Sequence, residues 1–588
     1  MPAGTGNSAA VCHHRIVPTR PPVFAALRQN PLQRLAKVRP LAVSLIAVWL
    51  FAVPPVPSFL DATSSSKITF LSAASKTPDK YLIEAMGGGV ALFDADGDGR
   101  LDIFFVNGAA LRPGMSAKDR PDKSNPRFWN RLYHNQGDGT FNDITEHAGL
   151  RGQGYGQGVA VGDCDNDGRS DLYVTSLGAN ALYRQQQPGV FKDITTAAGV
   201  AGGGWSSSAG FIDYDRDGRL DLFVARYLDW DLSKNKACGG TQAPLRAYCH
   251  PNEFPPIAHL LYRNLGGCRF ENVSAKAGLL QSPGKGLGVA FEDVDRDGWP
   301  DIFVANDSFP QQLFRNRHDG TFEEIGLTRG VAYDDDGKVF AGMGVGWADY
   351  NHDGWPDLFV NALANQGYSL FRSSRGLYNH VSAHTGLTNL TKLHSGWGTG
   401  FLDYDNDGRK DIFVAQGHVM DNIELTQPGI RYLESPLLLR NVTGRFLDVS
   451  AQAGAPFTTA MAARGAAFGD LNNDGSLDIV VSANDGPPRV FLNQAHSGHW
   501  ILVNAIGTKS NRDGLGATVR IVSASGLEQF AFVASAGSYL SAHDRRVHFG
   551  LGDDSLVKLL EIRWPSGIVQ SWNNLPANQV FTAREAGP

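Results

Sequence analysis

The chain has 588 residues, 42% hydrophobic and 19% charged, with 68 glycines and a net charge of −6. That apolar share excludes a mostly disordered chain. The lack of a basic excess argues against a nucleic-acid partner. Glycine at this level without a G-X-Y period points to many tight turns between short strands.

Residues 1–60 hold no Asp or Glu and six basic residues: Arg15, Arg20, Arg28, Arg34, Lys37 and Arg39. The apolar run Leu41 to Val53 follows, between Pro40 and Pro54. Its 13 residues are too few for a helix to cross about 30 Å of hydrocarbon. A basic flank before a short apolar run is the pattern of an export signal. No clean A-x-A cleavage site follows, so 1–60 is expected to be a signal peptide or a signal anchor. Uncleaved, 41–53 would tether the chain to a membrane. The expected location is extracytoplasmic: periplasmic, secreted or cell-surface. Of five cysteines, Cys12 lies in this leader. Cys238 and Cys249 enclose a short polar segment and suit pairing in an oxidising compartment. Spacing alone leaves all three connectivities of Cys164, Cys238, Cys249 and Cys268 open.

Residues 61–497 repeat. The pattern D-x-[DN]-x-D-G-x-x-D occurs seven times. Its acidic or amide positions 1, 3, 5 and 9 are Asp94, Asp96, Asp98 and Asp102; Asp163, Asp165, Asp167 and Asp171; and Asp213, Asp215, Asp217 and Asp221. The fourth and fifth copies supply Asp293, Asp295, Asp297 and Asp301, then Asp349, Asn351, Asp353 and Asp357. The last two supply Asp403, Asp405, Asp407 and Asp411, then Asp470, Asn472, Asp474 and Asp478. A small-residue strand precedes each copy and a β-branched or aromatic strand follows, so each copy is expected to join two antiparallel strands. Leu-Tyr-Arg-Asn-like segments (Leu132 to Asn135, Leu261 to Asn264) and then Phe-x-Asp-Ile-Thr segments (Phe141 to Thr145, Phe191 to Thr195) make about four strands per unit. Seven such units, spaced by about 63 residues, predict an all-β fold: a seven-bladed β-propeller with insertions near 108–128 and 226–259.

Alternating carboxylates at positions 1, 3 and 5 converge in a tight turn, and the Gly at position 6 permits the reversal. Position 9 returns a fourth. Hard oxygen ligands in a flexible loop suit Ca²⁺, with Mg²⁺ second. Up to seven calcium sites are expected, weaker in the two copies with Asn351 and Asn472. The flanks are strands and position 12 is apolar, unlike an EF-hand. The competing explanation is that Asp and Gly simply make good hairpin turns.

Residues 498–588 are expected to form a small β domain, with strands over Ile501 to Ala505, Ala517 to Val522, Gln529 to Ala534, Val547 to Phe549 and Leu559 to Trp564. The Asn511-Arg512-Asp513-Gly514 turn is either a ligand contact or only a turn.

The seven hairpins resemble the FG-GAP or VCBS-type repeats of integrin α-subunit propellers. His499-Trp500, the stretch Gly507 to Ala517, Gly537-Ser538-Tyr539-Leu540-Ser541, His548 to Gly552 and Ile562 to Gly567 are similar to the ASPIC/UnbV domain that follows such repeats in bacterial relatives of cartilage acidic protein. The resemblance implies an extracytoplasmic, calcium-binding propeller and leaves the ligand open.

Two function classes follow. The first is a binding or adhesion module for an extracellular or envelope glycan or protein, with Phe128, Trp129, Tyr227 and Trp230 as either exposed contact aromatics or core of the insertions. The second is a calcium-stabilised polysaccharide lyase or hydrolase, using the propeller centre or the 226–259 insertion, where His250 and His259 lie. No G-x-S-x-G elbow or H-E-x-x-H helix supports the enzyme, and no catalytic residue is assigned.

Overall fold

The computed structural model describes residues 59–587, apart from 117, 241 and 496. The leader, the apolar run 41–53 and Cys12 lie outside the described residues.

Each acidic nonapeptide joins two antiparallel strands. In the first copy Val90–Phe93 pairs with Asp102–Phe105, with Phe93 opposite Asp102. Arg131–Asn135 comes next and Phe141–Asp143 lies outermost. The inner two strands are buried throughout, which is why they read as continuous apolar runs. Among the described residues, seven sheets repeat this order of four strands. Their innermost strands are Val90–Phe93, Tyr155–Gly162, Ser206–Ile212, Gly286–Glu292, Val345–Ala348, Gly396–Leu402 and Ala463–Gly469. Each neighbours the next, and the last neighbours the first. The fold is all-β and propeller-like. The sheet containing Ala463–Gly469 takes its outer strand, Phe59–Asp61, from the start of the described chain, with Phe59 opposite Asn493. Pairing the two ends of the repeat region in one sheet closes the ring and covers an edge that would otherwise template aggregation.

The innermost strands approach closely, and small residues allow it. A Cβ on Gly344 would collide with the Trp397 carbonyl, and one on Gly288 with the Met343 carbonyl. The Phe-x-Asp-Ile-Thr segments are strand only as far as the Asp. In the first, the one-turn helix Thr145–Ala148 follows. Asp143 Oδ1 accepts from the Thr145 amide at 3.0 Å and from its hydroxyl at 2.5 Å, so the Asp–Thr pair closes a local turn rather than extending a strand.

The C-terminal residues form two sheets. His499–Ile506, Val547–Gly552 and Gln579–Arg584 make one; Thr518–Ser523, Glu528–Phe532, Leu556–Arg563 and Val569–Pro576 make the other. Val569–Pro576 and Gln579–Arg584 go beyond the expected strands, because their mixed polar sequences carry no apolar run. These sheets do not stand apart from the ring. Ile501, Val519, Phe549 and Trp564 share one buried cluster with Tyr173, Phe211 and Leu222, and Pro55–Pro588 is one compact unit.

A segment between these sheets fills the axis of the ring. Ala542 bonds through its amide to the Val90 carbonyl (3.0 Å), and the Leu540 carbonyl accepts from the Val159 amide (3.0 Å). The Leu540 amide donates to Ser208 Oγ at 3.0 Å. Ser538 exchanges backbone bonds with Val345 at 2.6 and 3.2 Å. Its hydroxyl accepts from the Thr399 amide and donates to the Ala466 carbonyl, at 3.0 and 2.9 Å. Six of the seven innermost strands are thereby tied to one segment. Ser538 and Leu540 adopt φ of 65° and 57°, a region that costs an L-residue roughly 1–2 kcal/mol. The many axial hydrogen bonds over-determine it.

Candidate metal centre

The second hairpin shows how the nine residues fold. Asp163 Oδ1 accepts from the Asp167 amide at 3.1 Å and Oδ2 from the Gly168 amide at 2.6 Å. Gly168 sits at φ 87°, where only glycine is at ease. Asp171, at position 9, receives the Gln185 amide on Oδ1 at 2.8 Å and the Cys164 amide on Oδ2 at 3.0 Å. The same double acceptance recurs at Asp102, from Asn135 and Ala95, and at Asp478, from Asn493 and Leu471. Position 9 therefore has a structural use of its own, locking the hairpin to the third strand of its sheet. Its recurrence alone does not require a metal.

Positions 1, 3 and 9 do converge. In the first three hairpins (Asp94, Asp96 and Asp102; Asp163, Asp165 and Asp171; Asp213, Asp215 and Asp221), one carboxylate oxygen from each residue lies within 4.8 Å of the others. Asp98 and Asp96 form a similar group with His134. Buried oxygens of Asp165, Asp213, Asp215, Asp295, Asp357 and Asp405 have no hydrogen-bond partner. Unpaired buried carboxylate oxygens are costly and are the donor set a hard cation takes, so the residues fit calcium. Asn351 and Asn472 turn their side-chain oxygens to the amides of Asp353 and Asp474 (2.9 and 3.2 Å). The carboxylates of Asp297, Asp353, Asp407 and Asp474 fix the position-7 amides in the same way.

Burial dominates the electrostatics. It pushes the carboxyls of Asp163 and Asp213 up to about 7, Asp171 to about 8 and Asp357 to about 9. Asp293, Asp349 and Asp470 rise to about 6. Asp221, Asp301, Asp403, Asp411 and Asp478 rise well above the usual carboxylate range. Crowded carboxylates in a dry site favour the proton, or a cation, over bare charge.

The basic residue of the Leu-Tyr-Arg-Asn signature reaches back to position 3. Arg184 lies 2.6 Å from Asp165, Arg263 2.7 Å from Asp215, Arg440 2.6 Å from Asp405, and His134 3.4 Å from Asp96. The Asn of the same signature stitches neighbouring sheets. Asn264 Nδ2 donates to the Leu220 carbonyl of its own hairpin (2.8 Å) and to the Cys164 carbonyl of the preceding one (2.7 Å). Asn316 reaches Tyr214, and Asn493 reaches Tyr404, in the same manner. Both roles were missed in the sequence, although the repeated Arg-Asn pair carried the signal.

The C-terminal sheets dock on this hairpin face. The Arg512 amide donates to Asn166 Oδ1 at 2.8 Å, and Asp513 Oδ2 accepts from the Asp163 amide at 2.7 Å. Arg216 Nε donates to the Pro565 carbonyl at 2.7 Å, and the Gly552 amide to the Asn406 carbonyl at 2.8 Å. The Asn511-Arg512-Asp513 turn thus recognises the ring itself.

The structure bears on the enzyme alternative and on the candidate aromatics. The axis offered to an enzyme is filled by residues 538–542. In the insertion, Tyr227 and Trp230 are buried with Trp205, Trp397 and Tyr539, and Trp129 is buried beneath the guanidinium groups of Arg131 and Arg151. Only Phe128 of the four candidate aromatics remains partly exposed, because Tyr227 and Trp230 pack into a core shared with the ring and its axial segment. His259 is fully buried, with Nε2 3.0 Å from Gln312 Oε1 and Nδ1 accepting from the Arg226 amide, so it is a packed core histidine. Cys238 pairs with Cys249, and Cys164 pairs with Cys268 across neighbouring sheets. Among the described residues no helix is long and apolar enough to cross a membrane.

Comparison with known proteins bears on the same segments. Residues 507–588 match the ASPIC and UnbV family. Residues 94–174, 163–224, 293–360 and 403–481 match the FG-GAP-like repeat. Cartilage acidic protein 1 of Homo sapiens is 27% identical over 55% of this chain and 46% of its own length. The Xenopus tropicalis protein is 29% identical over 50% and 44%. The chain thus spans about half the length of the curated relatives it matches. Among solved structures, YCF48 bound to D1 peptide has a TM-score of 0.38 at 7% identity, covering 76% of this chain and 95% of that one. Rhamnogalacturonan lyase YesW has a TM-score of 0.35 at 14% identity, covering 70% and 72%.

Proposed function

We infer that this chain, which carries FG-GAP-like repeats and ends in an ASPIC and UnbV domain, is a binding or adhesion module. It works outside the cytoplasm, takes calcium in its hairpins, and holds an extracellular or envelope glycan or protein. The observation that carries this is the filled axis: with Ser538 to Ala542 tied to the innermost strands, the outer faces and insertions are the surfaces left to meet a partner. Two disulfides suit an oxidising compartment.

Calcium would be held by positions 1, 3, 5 and 9 of each hairpin and would neutralise carboxylates that crowd beneath the C-terminal sheets. Asp297→Ala should lower the calcium stoichiometry by one equivalent in calorimetry. A purified, dialysed protein that holds no calcium would remove this part of the proposal. Retention on cell-envelope extracts, with and without EDTA, tests the partner. Calcium-dependent retention without turnover is expected. Polysaccharide turnover abolished at His250 would instead favour an enzyme.

A further inference from the structure

We propose that the acidic hairpins load cations in two cooperative groups, and that position 4 of the repeat couples one hairpin to the next. Position 4 lies between the ligand candidates at positions 3 and 5. At Asn166, Arg216, Arg296, Asn406 and Asn473 it has a φ between 54° and 60°, and its side chain leaves its own loop for the following one. Asn166 Nδ2 donates to the Gly218 carbonyl at 2.8 Å, Asn406 Nδ2 to the Gly475 carbonyl at 3.4 Å, and Asn473 Nδ2 to the Gly99 carbonyl at 3.3 Å. Each acceptor is position 6 of the next hairpin, the seventh being followed by the first. The Arg216 and Arg296 guanidinium groups lie 5.2 and 4.7 Å from the Trp299 and Trp355 rings, at position 7 of the next hairpin. Two joints lack the link. Gly97 has no side chain, and the ring nitrogens of His352 have no hydrogen-bond partner. The links therefore join hairpins two to five, and hairpins six, seven and one.

The far end of each link is anchored to the neighbour's own ligand candidates. The Gly99, Gly218 and Gly475 amides donate to Oδ2 of Asp94, Asp213 and Asp470, the position-1 carboxylates of their hairpins, at 2.8, 3.1 and 2.8 Å. One glycine thus serves two hairpins: its amide meets its own position 1, and its carbonyl meets position 4 of the hairpin before. In the fourth and fifth hairpins the Trp299 and Trp355 amides donate to Oδ1 of Asp297 and Asp353 at 2.9 and 3.0 Å. Each ring that carries a guanidinium is therefore held by its own position-5 carboxylate.

This arrangement makes order transferable. Gathering the carboxylates of one hairpin fixes its positions 6 and 7. Position 4 of the preceding hairpin then meets a fixed partner, and the ligand candidates on either side of it lose part of their freedom in advance. Ordering done at one site lowers the cost at the next, and linkage makes the gain mutual. The side chains of Asp213 in the third hairpin and Asp357 in the fifth, 4% and 0% exposed, each keep one oxygen without a hydrogen-bond partner. Such oxygens set these loops apart from plain acidic turns. The coupling rests on the calcium reading of the proposed function and adds a regulation to it.

Terbium(III), a hard cation whose emission is sensitised by a nearby indole, is the probe, titrated into the full chain. The tryptophan-excited emission lost on Trp355→Phe reports the fifth hairpin. Asp297→Ala, which empties the fourth, should raise the terbium concentration that half-fills the fifth by about fivefold or more. Asp407→Ala empties the sixth, the neighbour across the unlinked joint, and should leave that midpoint within about twofold, below the coupling range. Arg296→Ala keeps every ligand candidate and should give the Asp297→Ala shift by itself, with Asp297→Ala adding nothing to it. This variant decides the matter if either aspartate variant melts early. The coupling is overturned if Asp297→Ala and Arg296→Ala leave the fifth hairpin unmoved, or if Asp407→Ala shifts it as far as Asp297→Ala does. In both cases bound ions with independent midpoints leave the calcium reading standing. A chain that binds neither terbium nor calcium removes both.

Discussion

The first and sixth hairpins carry the same pattern in different surroundings. Asp94–Asp102 lies at the surface, with Asp98 exposed. Asp403–Asp411 lies beneath the C-terminal sheets: Asp405 is 6% exposed and Asp403 is fully buried. The sixth has an internal counter-charge, Arg440, itself 5% exposed. The first has His134 near its position-3 carboxylate. One motif thus serves as an open acidic turn in one place and as a buried ionic joint in another. What separates them is not the nine residues but what the rest of the chain lays over them.

Removing divalent cations should have the largest effect and should fall on the buried hairpins. Chelation at neutral pH is expected to lower the melting temperature by roughly 10 °C or more, since several sites each lose their mass-action stabilisation. The pH dependence should then invert. Burial raises the folded pKa of Asp163 and Asp213 to about 7 and of Asp171 to about 8, against about 3.9 in the unfolded chain. A raised carboxyl holds its proton more tightly in the folded state. Its stabilisation is complete below the unfolded value and is lost as pH rises through the folded one. The chelated protein should therefore melt higher at about pH 5 than at about pH 8, while the calcium-loaded protein follows the opposite trend. A chelated protein whose melting temperature rises with pH would break the contrast.

Arg440→Met comes next. It leaves Asp405 buried beside Asp407, and breaking a buried pair from one side costs about 3–5 kcal/mol, readable by denaturant unfolding. Asn264→Ala should cost about 1–3 kcal/mol, because it leaves the Cys164 and Leu220 carbonyls unpaired. Asp98→Ala, at the exposed hairpin, should change stability by less than about 0.5 kcal/mol while removing one calcium equivalent. If Asp98→Ala proved as destabilising as Arg440→Met, the distinction between open and covered hairpins would fall.

What could be seen in the sequence was local and periodic. Seven hairpins, their flanking strands and the glycines at the inner strands recur along the chain and read directly. The axial segment did not, because the contacts of Ser538, Leu540 and Ala542 reach partners 72 or more residues away. No spacing rule reports such contacts. The carboxylate at position 9 looked like a fourth ligand because a turn needs none there. The Asn135 and Gln185 amides that occupy Asp102 and Asp171 belong to a strand at variable distance. Tyr227 and Trp230 could be read as exposed or as core, because an insertion in a repeat is normally a surface loop. This one packs its rings against Trp205, Trp397 and Tyr539 of the ring and its axis.

The strand Phe59–Asp61 sets the timing of assembly. It is the earliest described segment to leave the ribosome, yet its partner Arg489–Asn493 is made more than four hundred residues later. Until then the circle stays unlatched, with the outer edge of its final sheet bare. Such distant pairing slows folding and leaves a sticky intermediate. An exported chain, crossing a membrane as an extended thread, would meet that hazard on the far side, where Arg489–Asn493 and Phe59–Asp61 can pair.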